Sequence, residues 1–183
     1  MMRTIRLVFL GLLLLVLLPS FSRGMMTGLS VKELSDRADT VLLGKVMDKE
    51  VFWSADGKMI MTSVVIEVGE VIKGVVGDQY VTVEYPGGEI GEIGMKVSDV
   101  PTFQTGEMVL VFLKAVQSKR FESDDAGTGE HSVFQVVAKA QGKYSIATDG
   151  IARRSGFSLA EGGKALVNEV PMETLIRMIK KGE

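Results

Sequence analysis

His131 is the one histidine of this chain and so the side chain best placed to exchange protons near neutral pH, yet it lacks the companions that chemistry would need. A zinc site draws on several His, Cys or carboxylate ligands at short spacings, and the chain has no cysteine and no His-x-x-x-His pair. A histidine general base works beside a nucleophile, and no Gly-x-Ser-x-Gly elbow occurs. We read His131 as a surface histidine at the end of a polar loop, residues 117–132, and expect no catalytic residue, no metal site and no cofactor. The glycines between Gly87 and Gly94 do not form a phosphate loop either. They lack the Gly-x-Gly-x-x-Gly spacing and a following Lys-Ser/Thr pair, and Glu89 and Glu92 beside them repel phosphate.

Other residues suit recognition better than catalysis. Phe52 and Trp53, the latter the only tryptophan, stand immediately before Ser54-Ala55-Asp56-Gly57, whose Asp-Gly step is hairpin-turn chemistry. An aromatic at such a tip can anchor a partner. It can equally pair across the strands with Met59 or Met61 on the sheet surface, the reading we favour. Residues 86–106 are glycine-rich and weakly periodic, which fits either a binding loop or a plain connection. The candidate partner-binding surface therefore combines Phe52 and Trp53 with Gly87, Gly88, Ile90 and Ile93.

The elements that hold these residues are strands. Two long β-runs fill 38–74 and meet at Ala55-Asp56-Gly57-Lys58. In the second, Ile60, Thr62, Val64, Ile66 and Val68 share one face and Met61, Ser63, Glu67 and Gly69 the other, the period of a half-buried strand. In the first, the alternation changes phase at Gly44, which predicts a bulge. Tyr80 to Tyr85 gives a third strand stopped by Pro86-Gly87-Gly88. Met108 to Leu113 is apolar throughout, as in a central strand covered on both sides. Residues 133–138 and 143–147 form a further strand pair that completes the sheet. Ile151 to Val170 admits one short strand, and Arg153-Arg154 reads as a solvated pair.

Helices flank the sheet. Ser30 and Glu33 make a capping box with Leu29 and Leu34 as its staple, so a short helix over about 30–38 is expected to plug one end. Pro171 opens a second helix whose Met172, Leu175, Ile176 and Ile179 form an apolar stripe.

At the start, Arg3 and Arg6, an apolar run from Leu7 to Leu18 and then Ser20 and Ser22 have the layout of a secretory signal peptide over 1–22. An uncleaved anchor is the alternative. The run is short for a membrane helix, and there is no cysteine to carry a lipid, so no stable membrane anchor is expected after cleavage. Residues 23–183 suit a single domain able to bury roughly two-thirds of its unfolded surface. Without Arg3 and Arg6 the chain carries 19 basic against 23 acidic residues, a balance that argues against a nucleic-acid or anionic-lipid surface. Lacking disulfides, an exported chain of this kind relies on core packing.

Ala38-Asp39 before the valine-rich strand with Gly44-Lys45-Val46, Ile60-x-Thr62, Ile72-Lys73-Gly74, Val81-x-Val83-x-Tyr85, and Gly106-Glu107 before Val-Leu-Val-Phe-Leu together resemble the netrin-like module. That module is the oligonucleotide/oligosaccharide-binding-type (OB) barrel of tissue inhibitors of metalloproteinases, and the pattern is also similar to that of a group of secreted bacterial proteins. The resemblance spans roughly residues 38–147. It implies a mainly β fold, a partly open antiparallel OB-like barrel of five or six strands with a short N-terminal helix and a C-terminal one. The inhibitors hold a protease zinc through an N-terminal cysteine, which this chain lacks, so that chemistry does not carry over. The function expected is a non-enzymatic binding module, periplasmic or extracellular, whose partner is another exported protein, a protease among the possibilities. A structural or envelope-assembly protein is the alternative, and an enzyme a more distant one.

Overall fold

The computed structural model describes residues 27–116, 133–154, 156 and 167–182. Residues 1–22, expected to be a signal peptide, and residues 117–132 with His131 lie outside the described residues.

The fold is mainly β, with a short helix near each end. Helix α1 (Val31–Arg37) starts where the capping box places it: Glu33 N donates to Ser30 Oγ at 3.2 Å, and Ser30 N donates to the Glu33 carboxylate at 2.8 Å. Ala38 leaves the helix extended, and Asp39 N donates to Leu113 O at 2.9 Å, so the chain passes directly into the sheet. Strands β1 (Thr40–Trp53) and β2 (Ile60–Lys73) pair antiparallel along their length. Ser54 and Asp56 close their turn, Ser54 Oγ donating to Asp56 Oδ1 at 2.6 Å and Ser54 N to Met59 O at 2.8 Å. The register slips between Leu43 and Gly44, as the phase change in the sequence implies. A Cβ at Gly44 would stand 2.4 Å from Glu67 O, so the bulge requires glycine.

Strand β3 (Tyr80–Pro86) continues the meander, and the connection to the next long strand, expected to be irregular, contains a small hairpin of β4 (Gly88–Ile90) and β5 (Ile93–Met95). Strand β6 (Met108–Val116) then pairs with the first half of β1. Beyond it lie β7 (Val133–Val136) and β8 (Lys143–Ile146). These two do not pair with each other, contrary to the sequence reading. Both β1 and β8 pair with residues 108–111 of β6, and both β1 and β7 pair with Leu113, so β7 and β8 share the edge of β6 opposite β1. They are two halves of one interrupted strand. The interruption is a 3-10 turn (Lys139–Gly142) entered through left-handed Ala138 and Lys139, φ 53° and 57°, which carries the chain out of the ladder and returns it in the same direction.

β7 also pairs with β3, in parallel, through Thr82–Val133 and Val83–Phe134. The ladders thus run in a circuit β1–β2–β3–β7–β6–β1. The sheet is only partly closed, because below β7 its continuation β8 pairs instead with β9 (Ile151–Arg153), which pairs with β10 (Glu169–Pro171). The sheet is therefore not complete at residue 147. β9 and β10 extend it, and β10 leads straight into helix α2 (Met172–Lys181), capped at its end by left-handed Gly182.

Two apolar layers meet on β6. Val109, Val111 and Leu113 point into the circuit, where Leu42, Val46, Val64, Ile66, Val83 and Phe134 fill the interior. Leu110 and Phe112 point outward against Leu34 of α1 and Leu175 and Ile179 of α2. That explains an apolar residue at every position from 109 to 113: strand alternation sends neighbours to opposite faces, and here both are covered. The stripe of α2 docks as expected. Arg153-Arg154, read as solvated, divides. Arg153 is held on the surface by Asp149, whereas Arg154 is 5% exposed, its guanidinium donating to Leu29 O and Gln141 O. Strand alternation continues one residue past β9 and turns Arg154 inward onto the carbonyls of the N-terminal segment.

Candidate functional site

Among the described residues a cleft opens at one end of the partly closed sheet, on the inner face of the far ends of β1, β2 and β3. Val51, Thr62 and Tyr85 stand opposite one another across these strands, and residues opposite in an antiparallel pair share a face. It is the face of Val64 and Ile66, hence the interior, continued past the last layer of core side chains. Tyr85 closes that layer, its ring tilted against Phe103 at a centroid separation of 5.9 Å. Burial pushes the Tyr85 phenol above its ordinary range, partly offset by a hydrogen bond with Thr62.

The chain makes the other wall by folding back. After Pro86, Gly87 and Gly88 take φ values of 111° and 136°, and turn β4 over β2 toward β1. Gly87 N donates to Ile60 O at 2.8 Å, and Thr62 Oγ1 donates to Gly87 O at 2.6 Å. A Cβ on Gly88 would lie 2.6 Å from Val51 Cγ1 and 2.9 Å from Thr62 Oγ1. Glycine is demanded here twice, by the backbone angle and by the close approach. The result is a cleft of about 840 Å³ between the hairpin, the 96–102 segment and the strand ends, with Lys49, Lys96, Glu89 and Asp99 around it. Its lining mixes both charges with Val51, Met95, Val97 and the Tyr85 ring. Such a surface suits a ligand of mixed polarity better than a phosphate or a purely apolar molecule.

The 96–102 wall is fixed from behind. Lys143 Nζ donates to the Thr102 carbonyl and to both oxygens of Glu107, at 2.8 and 2.9 Å, and lies 4.8 Å from the Phe103 ring centroid. Ser145 Oγ donates to the same carboxylate. Burial lowers the Lys143 pKa, and the Glu107 carboxylate works against that shift. With its ammonium shared between Glu107 and a backbone carbonyl, Lys143 acts as a clamp on the loop, not as a free amine. At the other end of the wall, Ala140 N donates to Asp99 O at 2.8 Å and Lys139 Nζ to Ser98 O at 3.3 Å.

Of the six residues singled out from the sequence, Gly87 and Gly88 shape the cleft; Phe52, Trp53, Ile90 and Ile93 do not line it. Trp53 shares the face of Val51 one row further out, is 41% exposed and stands opposite Ile60; Phe52 stands opposite Met61 on the other face. Ile90 pairs with Ile93 near the hairpin tip, where Ile93 is 57% exposed. The tip aromatics and the hairpin thus flank the same end of the partly closed sheet. Lys49, Thr62, Tyr85 and Lys96 escaped the sequence reading. Thr62 carried a signal, being the one polar residue in the inward series Ile60, Val64, Ile66. A smaller slot of about 270 Å³ opens among Met59, Met61, Glu84, Pro101 and Val136.

Among the described residues, no group of three or more His, Cys, Asp or Glu side chains is placed to hold a metal ion. Among them, too, no helix is long and apolar enough to cross a membrane. In comparisons with known proteins, no protein-family model matches this chain and no curated protein matches it.

Proposed function

We propose that this protein is an exported, non-enzymatic binding module that takes up part of another exported protein at the mouth of an OB-type barrel. The observation that carries the reading is the open cleft of about 840 Å³ at the barrel mouth, walled by a glycine-hinged hairpin and flanked by exposed Trp53 and Ile93. The circuit in which β3 meets β7 in parallel while the other ladders run antiparallel supports the OB-type reading. Rigid barrels commonly carry recognition on the loops at one end, where changes leave the core intact. Aromatic anchors beside a mixed-polarity cleft are the composition of a protein interface.

The test is retention of a partner by the protein without its leader, from extracts of its own cell envelope and culture fluid, identified by mass spectrometry. Trp53→Ala should weaken retention at least tenfold, about 1.4 kcal/mol, and leave the unfolding midpoint nearly unchanged. A lowered midpoint with unchanged retention would make Trp53 a packing residue opposite Ile60. No retained species, together with self-association of the purified protein, would overturn the reading in favour of an assembly role.

A further inference from the structure

The hairpin that walls the cleft is attached to the barrel in an uneven way. Hydrogen bonds tie the 86–102 segment to the body at its two ends: Gly87 to Ile60 and Thr62 at one, Ser98 and Asp99 to the 139–140 turn at the other. Between them, among the described residues, the backbone pairing of 88–95 is internal to the hairpin, Gly88–Met95, Glu89–Gly94 and Ile90–Ile93. A two-strand unit of this size has little stability alone and little holding it down. The near end passes through two consecutive glycines, and the far end through Asp99, whose φ of 58° is left-handed. Both are places where a chain can change direction without disturbing a ladder.

The underside matters equally. Gly88, Ile90, Ile93 and Met95 share one face of the hairpin, and the missing Cβ of Gly88 points from that face onto Val51 and Thr62. The hairpin therefore rests on the β1–β2 ends at Gly88, where glycine leaves room, while Ile93 near its tip stays 57% exposed.

We propose that the β4–β5 hairpin is a hinged wall that pivots between Gly87-Gly88 and Asp99, and that its position sets the width of the cleft. The proposal rests on the cleft being the binding site, but its test needs no ligand, so the two can fail separately. The chain contains no cysteine, so a single introduced pair, Glu92→Cys at the hairpin tip and Lys114→Cys on β6, can be spin-labelled cleanly. Pulsed electron resonance should return two distances, one for the seated hairpin and a longer one for the lifted hairpin. Gly88→Ala, whose methyl would overlap Val51, should shift the population toward the longer distance. Hydrogen exchange on the unaltered protein supplies a second measurement: amides of 88–95 should exchange at least 100-fold faster than those of 40–46. A single narrow distance that Gly88→Ala does not move would overturn the proposal. So would exchange of 88–95 at the same rate as 40–46. Fast exchange with one fixed distance would also sink it, since that describes a frayed hairpin that does not pivot.

Discussion

Arg154, Gln141 and Tyr144 bring the segments that precede α1 and β10 onto one cluster of side chains. Gln141 accepts from Leu29 N at 2.8 Å and donates to Thr27 O at 3.1 Å; Arg154 donates to Leu29 O and, through Nε, to Asn168 Oδ1 at 3.2 Å; Tyr144 Oη donates to Val167 O at 2.9 Å. The Arg154 guanidinium lies 5.3 Å from the Tyr144 ring centroid. Burial pushes the Tyr144 phenol up from 10.0 to about 12, with the Arg154 charge opposing the shift. The sign of the consequence is fixed. Between pH 10 and 12 the unfolded chain sheds a proton that the fold retains, so the contribution is complete below pH 10 and is lost toward pH 12. A shift of this size is worth about 2 to 3 kcal/mol. Tyr144→Phe removes the titrating group while keeping the ring. Urea unfolding at pH 9 and near pH 12 should show the variant gaining about that much on the parent protein across the interval. A constant difference would mean that the phenol is not buried as described.

At the scale of elements, β6 is the strand on which the two apolar layers depend, and its outward side chains should be costly to remove. Phe112 faces the helices in contact with Tyr144, the ring centroids 6.4 Å apart, and Leu110 lies beside it in the same layer. Leu110→Ala or Phe112→Ala should cost about 2 to 5 kcal/mol in denaturant unfolding, because a close-packed site collapses only in part around the space left. A loss under about 0.5 kcal/mol, the range of surface substitutions, would place β6 at the periphery. The capping box of α1 is a smaller matter, with Ser30→Ala expected to cost about 1 kcal/mol. The helix makes its larger contribution through Val31 and Leu34, both buried against the outer layer.

For the whole molecule, the proposed export route predicts an intact mass beginning at Arg23, or at Met25 as second choice, for protein recovered outside the cytoplasm. Retention of Met1 would remove that part of the reading. Elemental analysis of protein prepared without chelators should likewise find no stoichiometric zinc, given one histidine and no thiol. How much was open to reading without coordinates follows from the range of the interactions involved. Strand period, the Asp-Gly turn, the Gly44 bulge, the capping box and the stripe of α2 are set by neighbours a few residues apart, and all of them stand in the structure. Local alternation could also say that the run from Met108 to Leu113 is covered on both faces, though not by what, and the cover holds for 109–113 while Met108 at the strand's start is 38% exposed. The edge that β7 and β8 share, the parallel contact of β7 with β3, and the carbonyls that receive Arg154 depend on partners from 13 to 125 residues away, beyond the reach of any local pattern. The cleft belongs to the same class. Gly87 and Gly88 announced a break after β3, but that the break folds a hairpin back over Val51 and Thr62 was decided by the approach of three strand ends, where the absence of a Cβ acquires its meaning.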